Sequence, residues 1–133
     1  MMSILNLKIE AIEHSLVYKH FGSKMRKEQV AIKKFDDKTK YLGAFVDDYL
    51  VGCVGWQEIS KDHIRYKTDY VVNNFRGRKI YTNLWKSRDL INFKEKISVI
   101  SAYCTPLSIS MYMKYDFKIQ SVKGNIKYLK KII

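Results

Sequence analysis

The stretch of sequence that decides the fold is VVNNFRGRKIYTNL, residues 71–84. The residues before Asn73 fit a strand, whereas apolar side chains recur at helical spacing at Ile80, Leu84 and Ile91. This change of period predicts a strand, a tight turn and then a helix of about four turns.

The turn inside this stretch has the features of a phosphate-binding site. The first N–H groups of a helix are unpaired and lie at the positive end of its dipole. Gly77 allows close backbone approach, and Arg76, Arg78 and Lys79 add three cations. The turn therefore indicates a ligand with several phosphates, although a basic turn that opens a surface helix is also common without one.

Upstream of this stretch, the pattern predicts one helix and three strands. Ile9, Ile12 and Leu16 fall at helical spacing and predict an amphipathic helix near residues 8–21. Apolar segments rich in β-branched and aromatic residues then predict an antiparallel meander, with strands over residues 41–46, 49–59 and 63–72. The basic connection 24–40 is less defined, with a short helix or strand predicted around 29–35.

Downstream, the pattern predicts a strand over residues 96–103, a short helix over 107–115 and two final strands over 117–122 and 125–132. Thr105 is the predicted N-cap of that helix, with Pro106 in its first turn. The order is helix, three strands, helix, strand, helix, two strands, which predicts a mixed α/β (α+β) sheet. With 133 residues, the chain is expected to form a single domain, residues 1–133.

Two motifs carry a resemblance to a known family. The motif Arg/Gln-x-x-Gly-x-Gly/Ala, which follows a strand ending in valine, compares with residues 74–79, where Gly77 matches. The motif Asn-x-x-Ala-x-x-Leu-Tyr-x-Lys-x-Gly-Phe compares with residues 105–117, where Tyr112, Lys114 and Phe117 match. Over nearly its whole length the chain resembles the GNAT superfamily of N-acetyltransferases.

The sequence departs from both motifs. Asn74 replaces the usual Arg or Gln, Lys79 replaces the second Gly or Ala, and Tyr81 takes a position often held by Gly. Thr105 replaces Asn. Asp116 replaces Gly at the position where a helix ends and the next strand begins. Asp can adopt a left-handed conformation there, at a cost in free energy.

The resemblance implies the GNAT acyl-CoA N-acyltransferase fold, a mostly antiparallel central sheet that is splayed at the cofactor site and flanked by helices. It also implies acetyl transfer from acetyl-CoA to an amine by direct attack, with backbone N–H groups near Val71 polarising the thioester carbonyl. The connection 24–40 is expected to form the acceptor-side wall. The residues implied in coenzyme A binding are Val71, Val72, Asn74, Phe75, Arg76, Gly77, Arg78, Lys79, Ile80, Tyr81 and Thr105.

Two residues are the candidate catalytic groups. Tyr112 matches the family's tyrosine, the acid for the sulfur of coenzyme A, and the alternative is a packed helix tyrosine. Asp69 is the first candidate for a general base, because an acid inside a strand needs a reason; its alternative is a structural pair with a Lys or Arg. Glu58 and His63 are further candidate bases. Cys104 could accept an acyl group or simply fill the core.

The formal net charge of +12 favours an anionic partner. One alternative function is therefore a GNAT-like protein that modifies or binds nucleic acid, tRNA or DNA, with altered or lost use of coenzyme A. Another is a non-enzymatic binding module, and a third interpretation is an ordinary lysine-rich surface. The three His and two Cys residues lack metal-ligand spacing, so no metal site is expected.

The sequence also bears on the cellular location of the protein and on its oligomeric state. No apolar run approaches the roughly 18 residues of a membrane span, the first residues lack a cleavage site, and the two cysteines suggest no disulfide framework. A cytoplasmic protein is expected. The oligomeric state, a homodimer included, and the acceptor amine stay open.

Overall fold

The computed structural model describes residues 6–93, 96–106 and 108–133. A short 3-10 turn, Asn73–Phe75, precedes the second helix. The helices and strands are, in chain order, β1 (Leu7–Ile12), α1 (His14–Lys27), β2 (Lys40–Val46), β3 (Tyr49–Ser60), β4 (His63–Val71), α2 (Ile80–Asn92), β5 (Val99–Cys104), α3 (Ile109–Lys114), β6 (Lys118–Lys123) and β7 (Ile126–Ile132).

The strands form one seven-stranded sheet in the order β1-β2-β3-β4-β5-β7-β6. Every neighbouring pair is antiparallel except β4 and β5, which are parallel. The predicted fold class, a mostly antiparallel mixed sheet flanked by helices, is therefore confirmed. None of the helices in the described ranges is long and apolar enough to cross a bilayer.

The prediction of a first helix over residues 8–21 is wrong at its start, and the helix also runs past the predicted end to Lys27. Leu7–Ile12 forms strand β1, and helix α1 begins only at His14. The apolar spacing in this segment fits either a helix or a strand. The strand prevails because it pairs along the whole of β2 and directs Leu7 and Ile9 onto the core.

Several other boundaries differ from the prediction. Residues 29–35 form neither helix nor strand, and residues 96–98 precede β5 rather than belonging to it. Helix α3 begins at Ile109 with Ser108 as its N-cap, so Thr105 is not the cap. Leu107, the predicted first helical residue, lies outside the described residues.

Helices cover both faces of the sheet. On one face, α2 and α3 contribute Ile80, Leu84, Trp85 and Tyr112 to the main hydrophobic core. On the other face, Val17, Phe21 and Met25 of α1 form a second cluster with Tyr41, Leu50, Cys53 and Tyr70. On this face of the sheet, α1 covers only β2, β3 and β4. The same face of β5, β7 and β6 therefore lies outside the second cluster.

The parallel pair β4 and β5 is joined along only part of its length. Pairing reaches Tyr66 on β4 and Ala102 on β5, whereas β4 continues to Val71 and β5 to Cys104. The two strands therefore part beyond Tyr66 and open a wedge between their carboxyl ends. This is the splay that the GNAT resemblance implied.

A β-bulge lies where the wedge opens. The register between β3 and β4 shifts between Cys53 and Gly55, and Thr68 has a positive φ of 58°. A bulge inserts an extra residue and bends its strand. The bulge therefore turns the end of β4 away from β5 and aims Asp69 toward α2.

Left-handed backbone occurs in the turn before α2 and again just after α3. Gly77 has φ 75°, Lys79 has φ 63° and Asp116 has φ 69°, so the left-handed conformation expected at Asp116 is confirmed. A residue with a Cβ is strained in this region, whereas glycine is not. Lys79 therefore carries a strain that a glycine at this position would not have.

We expect Lys79→Gly to stabilise the fold by about 0.5 to 1 kcal/mol, because it removes left-handed strain at the N-cap of α2. The matched control is Lys86→Gly, at an exposed position inside the same helix, which should lower the free energy of unfolding by about 1 kcal/mol. Urea denaturation followed by circular dichroism measures both. A destabilised Lys79→Gly variant would contradict the strain argument.

Candidate functional site

The wedge between β4 and β5 leads into a cavity of about 300 Å³. Thr68, Asp69, Thr105 and Tyr112 line its wedge end. Residues 29–33 of the connection after α1 form part of the opposite wall. The cavity therefore brings together Asp69, Tyr112 and Thr105, which lie far apart in the sequence.

Asp69 forms a buried ion pair with Arg88 of α2. The distance from Arg88 Nη1 to Asp69 Oδ1 is 2.6 Å and that from Nη2 to Oδ2 is 3.1 Å. Arg88 is fully buried and Asp69 is 8% exposed. Burial lowers the pKa of Arg88, but the charge of Asp69 outweighs this effect and raises it. This is the structural pair that the sequence left as the alternative to a general base.

Two tyrosine hydroxyls complete the shell of Asp69. Tyr81 and Tyr112 both donate to its Oδ2, Tyr112 at 2.7 Å. Burial, and then the negative charge of Asp69, raises the pKa of both tyrosines well above the ordinary value. Both oxygens of Asp69 are therefore engaged, and both tyrosines hold their protons at neutral pH.

Arg88 is the site residue that sequence analysis missed. Its guanidinium also donates to the Gly55 carbonyl at 3.0 Å and lies 3.8 Å from the ring centroid of Tyr66. A pattern in the sequence marks it, because Arg88 continues the apolar stripe of Ile80 and Leu84 at a spacing of four residues. A cation on such a stripe needs a buried anion as partner.

The predicted phosphate turn is open on its outer side. A Cβ placed on Gly77 would meet no atom within 4 Å. Lys79 is exposed, and the guanidinium of Arg78 lies 5.1 Å from the ring centroid of Phe75. No acidic residue occupies the first turn of α2. The start of α2 therefore presents backbone N–H groups and two cations to an approaching anion.

Arg76 has protein partners instead. Its Nε donates to the Val71 carbonyl at 2.8 Å, and its Nη2 lies 2.8 Å from Glu28 Oε1. Tyr70 donates to the same carboxylate. The hydrogen bond from Tyr70, reinforced by Arg76, holds the pKa of Glu28 below its ordinary value despite partial burial. A phosphate contact by Arg76 would have to compete with Glu28.

The other residues predicted near coenzyme A occupy several environments. Ile80 and Val71 are buried in the core, and Asn74 is exposed in the 3-10 turn. The Val72 N–H already donates to the Val51 carbonyl at 2.9 Å. Because successive N–H groups of a strand point to opposite edges, we expect the Val71 N–H to point toward the wedge.

The remaining candidate catalytic groups do not join Tyr112. His63 begins β4, and Glu58 pairs with Ile64 near the same end of that strand, away from the wedge. Neither residue lines the cavity that Tyr112 lines. Cys104 is buried, and burial raises the pKa of its thiol to about 12, so it is protonated at neutral pH. Within the described ranges, no three His, Cys, Asp or Glu side chains are grouped to hold a metal ion.

Three cations line the cavity where the connection after α1 meets β4. Lys33, Arg65 and Lys67 line it together with Asp36. Lys67 Nζ lies 3.8 Å from Asp36 Oδ2. Burial lowers the pKa of Lys67, and Lys33 and Arg65 lower it further although Asp36 opposes them. This side of the cavity is therefore positively charged.

Solved structures similar to this chain are acetyltransferases. A PaiA N-acetyltransferase from Thermoplasma acidophilum in complex with coenzyme A is 17% identical, with a TM-score of 0.74, over 97% of this chain and 100% of that one. Ard1 from Thermoplasma volcanium is 12% identical with a TM-score of 0.78, over 97% and 99%. A GNAT family acetyltransferase from Elizabethkingia anophelis with acetyl-CoA bound is 15% identical with a TM-score of 0.69, over 97% and 99%.

These structures confirm the GNAT resemblance at the level of the fold. No protein-family model matches the chain, and no curated protein matches it in sequence. The identities to the structures compared are only 11% to 17%, so the similarity is one of fold.

We expect Asp69→Asn to lower the free energy of unfolding by about 3 to 5 kcal/mol, because it leaves the charge of Arg88 buried without a counterion. In the double variant Asp69→Leu/Arg88→Met both charges are removed, so it should lose less stability than the two single changes added together.

Urea denaturation of the unchanged protein, Asp69→Leu, Arg88→Met and the double variant measures the coupling, and Asp69→Asn is measured beside them. Asp37→Asn, at an exposed acid, is the control and should change stability by less than about 0.5 kcal/mol. If Asp69→Asn unfolded at the same urea concentration as the unchanged protein, Asp69 would have no structural role.

Proposed function

We propose that this chain, which has the fold of the GNAT acetyltransferases, is an acyl-CoA-dependent N-acyltransferase that transfers acetyl from acetyl-CoA to an amine by direct attack. The observation that carries the proposal is the parting of β4 from β5 beyond Tyr66, which opens a wedge bordered by the Tyr112 side chain. The phosphate turn at Gly77 follows the same end of β4.

The residues present fit coenzyme A, which would supply the acetyl group as an activated thioester. The open space at Gly77 allows a pyrophosphate to approach the start of α2. Arg78 would then contribute a phosphate contact, Lys79 would lie near the phosphates without binding them, and Arg76 would contribute only by leaving Glu28. Within the wedge, the Val71 N–H is the proposed donor to the thioester carbonyl.

Tyr112 is the proposed acid for the departing sulfur. An acid must hold its proton before the reaction, and the raised pKa of Tyr112 ensures this at neutral pH. Its hydrogen bond to Asp69, which is in turn fixed by Arg88, orients the hydroxyl at the wedge. In this proposal Asp69 positions Tyr112. As the amine attacks and the carbon–sulfur bond breaks, the hydroxyl proton of Tyr112 leaves its hydrogen bond with Asp69 for the sulfur. Water takes the proton of the amine, and Tyr112 regains a proton from water.

The acceptor defines two narrower versions of this function. In the first, the amine belongs to a small molecule or a protein. In the second, the chain modifies or binds nucleic acid, tRNA or DNA, with altered or lost use of coenzyme A. The net charge of +12 and the ion pair that holds Arg76 support this second version.

Both versions place the protein in the cytoplasm, since free buried thiols at Cys53 and Cys104 fit a reducing compartment.

We expect Gly77→Val to abolish acetyl-CoA binding in titration calorimetry, because a branched side chain would fill the open space at the turn. Lys79→Gly should preserve or strengthen binding, since it restores the residue that the left-handed backbone favours. No heat with acetyl-CoA for the unchanged protein would overturn coenzyme A use. Loss of binding in Lys79→Gly would instead make that lysine a phosphate ligand.

Tyr112→Phe should lower kcat by about 100-fold or more without changing the dissociation constant of acetyl-CoA, because it removes the proposed acid. Tyr81→Phe is the matched control, since Tyr81 donates to the same oxygen of Asp69 but does not line the cavity. It should leave kcat nearly unchanged. Equal losses in the two variants would show that the hydroxyls act only by supporting Asp69.

A further inference from the structure

The face of the sheet that α1 leaves uncovered carries a row of cations. Directly opposite residues on neighbouring strands share a face, and the register aligns Arg65 on β4, Ser101 on β5, Lys130 on β7 and Lys118 on β6. Arg65 Nε lies 3.4 Å from the buried Ser101 hydroxyl. Three of the four positions in this row across β4, β5, β7 and β6 are therefore positively charged.

Aromatic rings form the next row on the same face. Tyr103 on β5 pairs with Tyr128 on β7, and their ring centroids are 4.7 Å apart. Tyr103 is 56% exposed. The guanidinium of Arg65 lies 4.9 Å from the Tyr103 centroid, and Lys130 Nζ lies 5.7 Å from the Tyr128 centroid. Each ring is thus accompanied by a cation.

The face has almost no negative charge of its own. Strands β5, β6 and β7 contain no Asp or Glu. The one acid on β4, Asp69, binds Arg88 under the opposite face, and Asp36 lies beside Lys67. The cations of the row are thus free of neutralising carboxylates on these strands, and they attract a polyanion.

The face also continues into the cavity at the wedge. Arg65, Tyr103 and Lys67 line that cavity as well. A ligand lying on the two rows would therefore pass the acceptor-side mouth. A second copy of this chain is a poor occupant, because two such faces would bring like charges together.

We propose that this open face, made of Arg65, Tyr103, Lys118, Tyr128 and Lys130, binds single-stranded nucleic acid and presents it to the wedge. Cations that follow a backbone, with exposed rings on which bases stack, are the two elements of such recognition. An acidic peptide would match the charges but would leave the two rings unused. The presentation to the wedge rests on the proposed acyl transfer, whereas the binding itself does not.

The test is fluorescence anisotropy with a labelled single-stranded oligonucleotide of about 12 nucleotides, without acetyl-CoA, so that failure of acyl transfer leaves it unaffected. Tyr103→Leu should weaken binding by about 10-fold, since it removes a stacking platform. Tyr49→Leu, at a tyrosine that is 75% exposed in the β2–β3 hairpin, is its control and should bind as the unchanged protein does.

A second pair of variants separates this face from general charge. Lys118→Gln/Lys130→Gln should lower affinity by about 10-fold or more and reduce the slope of log K against log salt by about 1.4, two phosphate contacts at about 0.7 each. Lys19→Gln/Lys27→Gln, on the exposed side of α1, carries the same net charge and should bind normally.

Three results would overturn the proposal. They are the absence of binding at low salt, equal losses in the two lysine pairs, and unchanged binding by Tyr103→Leu with equally tight binding of heparin. The last result would mean that this face binds any polyanion and does not recognise nucleic acid. Thermal melting of each variant verifies that it is folded, and Tyr103→Phe, which keeps the ring, should restore binding.

Discussion

The structure depends on neutralising one buried charge. Arg88 has no access to water, and an uncompensated guanidinium there would cost several kcal/mol. Among the residues that the structure describes, Asp69 is the only carboxylate in contact with it, and the bulge at Thr68 aims Asp69 toward α2. Because the same carboxylate receives the hydroxyls of Tyr81 and Tyr112, one ion pair joins β4, α2 and α3 at the wedge. Packing alone would hold these elements less specifically.

The wedge follows from backbone geometry more than from side-chain chemistry. Parallel strands normally continue their hydrogen bonds, and the bulge ends them by bending β4 after Tyr66. The chain then makes a turn that needs left-handed backbone at Gly77 and Lys79 before α2 can begin. Strand, bulge and turn together place a helix N-terminus beside a gap in the sheet, which suits a long ligand with phosphates at one end.

The sequence allowed most of the fold to be predicted, because turn residues and periodicity agree from residue 41 onward. Asp47-Asp48, Gly77 and Asp116 all stand at positive φ. The first strand escaped prediction because its apolar spacing fits two periods and only pairing with β2 decides between them. Asp69 and Tyr112, which the sequence singled out, line one cavity. Arg88 was not singled out, since its role depends on a contact between residues 19 positions apart. The tie between Arg76 and Glu28 likewise arises only when α1 packs on the sheet.

The bond between Arg76 and Glu28 has a consequence for binding at the two ends of the cavity. Glu28 directly precedes residues 29–33, which form one wall of the cavity, and Arg76 belongs to the predicted phosphate turn. An anion that draws Arg76 away releases Glu28, and with it one anchor of that wall. Thermodynamic linkage makes the effect mutual, so a ligand that holds the wall in its present position disfavours the anion.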